Sequence, residues 1–181
     1  EMGANMKKIV FTDLATNLYT APIFTTLEFN GQPFYGTNRQ LPLAILFRKN
    51  SLAFAKTQFE TTHLKLFDDH DNLMLTLSPD QTIRACLGMY LAKITLRPLP
   101  KLTERFIFSL ILELTDDRQI QLLNSETQAI PQVISWLTTQ NIQIDDPMRL
   151  ASKLDASTTI DFRNFTVLSN GTEFAKTFEI N

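Results

Sequence analysis

The stretch from residue 90 to residue 144 constrains the fold most, because strand patterns lead there directly into a helix pattern. Residues 90–97 alternate apolar and polar side chains, and residues 105–114 form a second, denser apolar run. A short polar turn joins this second run to a third at residues 119–123. The order predicts an antiparallel hairpin that is followed at once by a helix.

The helix pattern covers roughly residues 130–140 and contains the only tryptophan of the chain, Trp136. Pro131 suits the first turn, where its missing N–H leaves no hydrogen bond unmade, and Asn141 suits the left-handed position after the last turn. An apolar stripe with helical spacing is formed by Ile130, Val133, Ile134 and Leu137. We expect this stripe and Trp136 to pack on the sheet.

Two more hairpins are predicted before this stretch. Asn30 and Gly31 follow the strand pattern Ile23–Phe29, and an Asn-Gly pair tolerates the positive φ angles of a two-residue turn. The polar loop at residues 68–72 separates two short apolar runs in the same way. Residues 41–47 and 51–59 are further strand candidates.

The C-terminal part is predicted to contain a short helix and a hairpin. Asp146 suits the N-cap of a helix that ends near residue 154. The Asn-Gly pair at residues 170–171 predicts a turn between strands at residues 166–168 and 172–178. Since this hairpin has no proline and few charges, we expect it to be an edge through which the protein self-associates or binds a partner.

These patterns predict an α+β fold dominated by antiparallel strands. Residues 6–67 form a β-rich N-terminal segment, which is a candidate to share a small sheet with residues 155–181. Residues 68–147 form the strand, strand, helix unit, and residues 148–181 form the short helix and C-terminal hairpin.

Composition excludes several classes of function. The formal net charge of −2 gives no electrostatic footprint for nucleic acid or an anionic membrane. Apolar runs fall well short of the ~18 residues that a membrane span needs. The single cysteine, Cys86, fits a reducing compartment, and the apolar stretch after Lys8 is too interrupted for a secretory signal. The sequence therefore predicts a cytoplasmic protein.

One acidic loop has a composition that could bind a metal ion. It consists of Asp68, Asp69, His70 and Asp71, but it lacks the glycine that a hard-cation loop uses for its sharp turn. The only other histidine, His63, does not lie in a zinc-binding motif. We interpret the loop as a solvated hairpin turn and expect neither a metal nor a cofactor.

Catalytic residues cannot be assigned from the sequence. Cys86 lacks a histidine at a spacing that would mark a base, so a small core residue is the favoured interpretation. The carboxylate pairs at residues 116–117 and 145–146 fall at predicted turns or helix starts, where Asp caps the backbone. The chain is more consistent with a non-enzyme than with an enzyme.

One basic cluster is a candidate contact for an anion or an acidic partner. The alternative is a solvated face that is balanced by Glu104 and Glu113. The cluster consists of Lys93, Arg97, Lys101 and Arg105.

Residues 73–144 resemble the bacterial pleckstrin-homology-like domains found in uncharacterised proteins. The resemblance is carried by residues 77–84 leading into the strand at Tyr90, by the hairpin at residues 106–123, and by the helix at residues 130–137. It implies a curved sheet or partial barrel closed by one amphipathic helix.

The leading hypothesis for function is a non-enzymatic binding or protein-interaction module, with a second copy or another protein bound at a sheet edge. One alternative is an enzyme whose carboxylates come from separate loops. The other is a carrier of a small apolar ligand. An unpaired sheet edge would favour the interaction module, whereas a pocket with perturbed ionisable groups would favour the enzyme.

Overall fold

The computed structural model describes six stretches of the chain, which are residues 7–9, 23–34, 53–95, 102–154, 162–175 and 178–180. Its strands are, in chain order, β1 (Lys7–Ile9), β2 (Ile23–Phe29), β3 (Gln32–Pro33), β4 (Ala53–Phe59), β5 (Leu64–Phe67), β6 (Leu73–Leu77), β7 (Thr82–Thr95), β8 (Leu102–Leu114), β9 (Arg118–Asn124), β10 (Gln143–Asp145) and β11 (Phe178–Ile180). Its helices are α1 (Ile130–Thr139), α2 (Leu150–Lys153) and α3 (Phe162–Ser169).

The described strands form one mixed sheet in the order β10-β7-β8-β9-β2-β4-β5-β6. Hairpin neighbours such as β7 and β8 pair antiparallel, whereas β2 pairs parallel with both β4 and β9. The short strands β1 and β11 pair parallel with β9 and β7, and β3 pairs antiparallel with β2. The predicted α+β class with mostly antiparallel strands is confirmed.

The sheet is curved, because strands that lie far apart in its order are tied together by a short connection. Six strand spacings separate β7 from β6, which would be about 29 Å in a flat sheet. Only the four residues of the Ser78–Gln81 connection join Leu77 to Thr82, and they reach about 17 Å at most. The ends of the sheet therefore curl toward each other. The described sheet does not close into a barrel, because its two terminal strands, β10 and β6, do not pair with each other.

Both N-terminal hairpins form as predicted. Asn30 and Gly31 have φ angles of 50° and 75°, as a two-residue turn of this type requires. The β5–β6 hairpin encloses the predicted polar loop. Of the two earlier strand candidates, residues 53–59 form β4, and residues 41–47 lie outside the described part of the chain.

The core is one continuous cluster of apolar side chains between the curved sheet and α1. On β7 the core-facing residues are Ala85, Leu87, Met89 and Leu91. Tyr90, on the opposite face of β7, packs against the ring of Phe174, with the two ring centroids 4.9 Å apart. The long strand is thus covered on both faces.

Helix α1 confirms the predicted amphipathic helix. Ile130, Val133 and Leu137 are buried, whereas Ile134 and Trp136 are partly buried against the core. The indole Nε1 of Trp136 donates a hydrogen bond of 2.6 Å to the carbonyl of Glu60, which fixes the helix to the β4–β5 turn.

The end of α1 also follows the prediction. Asn141 has a φ angle of 56°, and the N–H of Ile142 donates to the carbonyl of Leu137 at 3.0 Å. This left-handed termination satisfies carbonyls that the last helical turn leaves unpaired.

The predicted start of α2 is wrong by three residues, although Asp146 does accept hydrogen bonds from the first turn of the helix. The helix begins at Leu150, and both carboxylate oxygens of Asp146 accept backbone hydrogen bonds, from Leu150 at 2.8 Å and Ala151 at 2.7 Å. Arg149 takes a left-handed conformation with a φ angle of 57°, which turns the chain between the carboxylate and the helix.

The predicted C-terminal hairpin is wrong. Residues 166–168 lie in α3, and residues 173–175 form a 3-10 turn. Gly171, with a φ angle of 77°, follows the helix end in place of a hairpin turn. An Asn-Gly pair supplies the same left-handed conformation to a hairpin turn and to a helix terminus, so the pair alone does not distinguish them.

The proposed small sheet shared by residues 6–67 and 155–181 is not seen among the described strands. The C-terminal strand β11 pairs with β7, and the N-terminal strands β1 and β2 pair with β9. None of the described helices has both the length and the hydrophobicity to cross a membrane.

Candidate functional site

The predicted basic cluster lies partly outside the described residues, because Lys93 belongs to β7 and Arg105 to β8, whereas Arg97 and Lys101 lie beyond the described ranges. Lys93 is in register with Glu104 on β8 and with Glu179 on β11. Arg105 is in register with Ala92, the next position along β7. The role of the cluster stays a prediction.

The acidic loop between β5 and β6 is closed by its own hydrogen bonds. One oxygen of Asp68 accepts from the backbone N–H groups of His70 at 2.9 Å and Asn72 at 2.8 Å, and the other accepts from the Asn72 amide at 2.9 Å. These bonds, above all the one from the Asn72 side chain, lower the pKa of Asp68. The ligand atoms of Asp68, Asp69 and His70 lie within 4.8 Å of one another, but the geometry is that of a self-capped turn.

Cys86 lies on β7 in surroundings that oppose ionisation. Burial raises the pKa of its thiol to about 11, and the nearby carboxylates of Asp145 and Glu173 add to the effect. A nucleophilic cysteine needs a lowered pKa, which a neighbouring cation or histidine provides. The thiol is therefore protonated at neutral pH, and this does not favour cysteine chemistry.

The structural roles predicted for the two carboxylate pairs are confirmed in part, because Asp145 lies in β10 and not at a helix start. Asp116 accepts a 2.5 Å hydrogen bond from the Arg118 guanidinium in the β8–β9 turn. Asp146 caps α2.

The most distinctive surface for binding is the outer edge of β6, which we call the β6 edge (Leu73–Leu77). In the described part of the chain β6 pairs with one strand, β5, and it is the last strand of the sheet order. Its sequence, Leu-Met-Leu-Thr-Leu, contains no charge and no proline. An edge strand without these features is open to pairing with another strand.

Side-chain exposure along β6 changes from one end to the other. Leu77 is buried, Leu75 is half-buried, and Leu73 is 54% exposed. A bulge beside Leu73 limits the regular pairing with β5 to the segment from Leu75 to Leu77. Leu73 is one of three large apolar side chains that stand out as exposed among the described residues.

The curvature of the sheet leaves limited space beside this edge. Thr115 donates a backbone hydrogen bond of 3.0 Å to Gln81, which anchors the β6–β7 connection to the end of β8. The start of β7 is therefore at most about 17 Å from the end of β6.

The sequence predicts the exposed edge in the tail hairpin, which does not form, because residues 166–168 are helical. The C-terminal strand β11 pairs with β7, its single neighbour in the described sheet. The uncharged run of β6 has the same features that were used for the tail. Which strand is terminal in the sheet is a property of the topology, and it could not be derived from the run itself.

Comparisons with models of protein families, with curated proteins and with solved structures gave no match for this chain.

Proposed function

We propose that the protein is a non-enzymatic protein-interaction module that binds a strand of another polypeptide along the β6 edge. The observation that carries this proposal is an uncharged terminal strand with a single neighbour in the described sheet. Backbone N–H and C=O groups on such an edge supply affinity to an added strand, and alternate side chains supply specificity. This geometry provides binding and requires no catalytic residue.

A second copy of the chain is the partner that the β6 sequence favours. Its apolar pattern is symmetric about Leu75, so an antiparallel pair places Leu75 opposite Leu75 and Leu73 opposite Leu77. No charge of the strand meets a like charge in this arrangement. A self-complementary surface of this kind closes as a two-fold dimer.

Light scattering over micromolar concentrations tests the proposal, and we expect the wild type to form a concentration-dependent dimer. Leu73→Lys should shift the equilibrium toward monomer by roughly ten-fold or more, because a Lys on an edge strand opposes pairing. Leu73 is exposed, so this change should leave the fold intact. Val167→Lys is the matched control, because Val167 is 77% exposed on α3 and does not belong to the edge.

Hydrogen exchange separates the possible outcomes. A dimer should protect amides of β6 that exchange rapidly in Leu73→Lys. A wild-type monomer throughout this range would contradict pairing with a second copy. A monomer whose β6 amides are already protected would place an intramolecular segment on the edge and would contradict the interaction module itself.

The alternatives are less well supported by the described residues. An enzyme of the carboxylate type would need a pocket in which its acids converge, and a carrier would need an enclosed apolar cavity. The pleckstrin-homology-like and bacterial assignments remain proposals, and fold analogy would not by itself give a function. Cys86, as the single cysteine, supports a cytoplasmic location.

A further inference from the structure

A cleft of about 350 Å³ lies between α1 and the ends of β2 and β4. The helix supplies one wall with side chains at helical spacing, which are Gln132, Ser135, Trp136, Thr139 and Gln140. The opposite wall comes from the end of β2 and from the β4–β5 turn, with Phe29, Asn30, Phe59 and Thr61. This cleft is separate from the β6 edge, and its lining contains no residue of β6.

Aromatic rings form a rigid base for the cleft. Phe29 and Phe59 are stacked with their centroids 4.9 Å apart, and Trp136 meets Phe59 edge-on at 5.2 Å. The hydrogen bond from Trp136 to Glu60 fixes the plane of the indole. Gln140 donates to the Thr61 carbonyl at 2.8 Å and so ties the two walls together. Phe59 is buried and supports the other two rings from beneath, so the apolar surface that a ligand can reach belongs to the partly exposed rings of Phe29 and Trp136.

The rim of the cleft is polar but carries no ionisable group. Its side chains are amides and hydroxyls, and α1 as a whole contains no charged residue. Asn30, Gln132 and Ser135 are exposed, and their side chains make no hydrogen bond to another described residue. Amides and hydroxyls offer both donors and acceptors, so the rim can match a ligand that has both.

The described lining of the cleft offers no counter-charge, so an uncharged ligand suits this site better than an ion. It must also combine an apolar ring face for the aromatic base with hydroxyl groups for the rim. A pyranose ring has this chemistry, since its C–H groups form an apolar face and its hydroxyls surround it. We propose that the cleft binds an uncharged saccharide, with the ring against Trp136 and the hydroxyls bonded to Gln132 and Ser135.

Size and charge distinguish this ligand from other aromatic-binding partners. The volume is near the lower end of the ~300–1,000 Å³ of ligand pockets, which suits one or two sugar rings. A nucleotide would bring phosphate to a rim without a cation. A proline-rich peptide also binds aromatic grooves, and it is the main competitor in the test.

The lone tryptophan makes binding directly observable. Trp136 fluorescence and ¹H–¹⁵N spectra of the full chain should be titrated with glucose, galactose, N-acetylglucosamine and cellobiose at millimolar concentration. We expect at least one of these sugars to change the Trp136 emission and to shift amides of α1 and the β4–β5 turn. Glucuronate and a proline-rich decapeptide are the charged and peptidic comparisons.

Two pairs of variants assign the effect to the cleft. Gln132→Ala and Ser135→Ala remove exposed groups without a described partner, so they should leave the fold intact and weaken binding by roughly five-fold or more each. Thr139→Ala and Thr138→Ala are a matched pair, because each hydroxyl donates to the carbonyl four residues earlier, at 2.9 and 2.8 Å. Only Thr139 lines the cleft, so only Thr139→Ala should weaken binding.

Three results would overturn the proposal. They are the absence of a response to all four sugars (with or without a response to the decapeptide), an equal loss in Thr138→Ala and Thr139→Ala, and a response to glucuronate as strong as that to glucose. Leu73→Lys should bind the sugar as the wild type does, so the cleft and the β6 edge succeed or fail independently.

Discussion

At the scale of single residues, Cys86 shows how burial determines chemistry. Its pKa is raised from 9.0 to about 11, first by burial and then by Asp145 and Glu173. The rate of alkylation by iodoacetamide should therefore keep rising up to about pH 11, whereas an exposed thiol levels off near pH 9. A plateau near pH 9 in the folded protein, checked against the urea-unfolded chain, would contradict this environment.

The same shift fixes the direction of the effect of pH on stability. The folded thiol holds its proton more tightly than the unfolded thiol. Its contribution to the free energy of unfolding is therefore complete below pH 9 and is lost as the pH rises toward 11. Burial also raises the pKa of Tyr90, which acts in the same direction. Urea midpoints measured at increasing pH should fall less steeply in Cys86→Ala than in the wild type.

At the scale of elements, Gly88 decides how the C-terminal segment docks on β7. A Cβ atom at this position would overlap the ring of Phe174, which is fully buried on the outer face of the strand. Glycine in a strand interior often marks the close approach of another group. The aromatic ring thus occupies the space that a side chain of β7 would take.

A double-mutant cycle tests this docking. Gly88→Ala should cost about 1–3 kcal/mol through overpacking. Phe174→Ala should cost about 3–5 kcal/mol through loss of a buried ring. The double variant should lose less free energy of unfolding than the sum of the two single losses, because the methyl group enters the space left by the ring. Additive free energies of unfolding in urea would show that the two residues do not meet.

At the scale of the whole molecule, β9 joins the two halves of the chain. It pairs with β8 on one side and with β2 on the other. The Asn124 amide donates a buried hydrogen bond of 2.7 Å to the carbonyl of Thr25, and the Thr25 and Thr57 hydroxyls lie 2.7 Å apart, also buried. One apolar cluster contains side chains from both halves.

This connectivity predicts one cooperative unfolding transition. Trp136 fluorescence and far-ultraviolet circular dichroism should give the same urea midpoint. Asn124→Ala should lower the free energy of unfolding by about 1–3 kcal/mol, since it leaves a buried carbonyl without its donor. The urea midpoints of the two signals should therefore fall together. Two separated transitions would instead support residues 6–67 and 68–147 as independent domains.

Local patterns determined those features that depend on neighbouring residues alone. The turn at Asn30 and Gly31, the span of α1 and its end at Asn141 follow from φ preferences, from helical spacing and from capping chemistry. The capping role of Asp146 has the same local origin. The uncharged face of α1 was also visible in the sequence, although its significance was not.

Tertiary structure decided the features that depend on which distant segments meet. The parallel pairing of β2 with β9 brings together segments that are about a hundred residues apart, and no local pattern encodes that choice. The tail is the clearest example. Its Asn-Gly pair follows a helix instead of forming a hairpin turn, in a segment where Phe165 and Phe174 are buried. The cleft and the terminal position of β6 have the same origin. Both result from how the whole chain buries its apolar surface, which depends on the packing of all segments together.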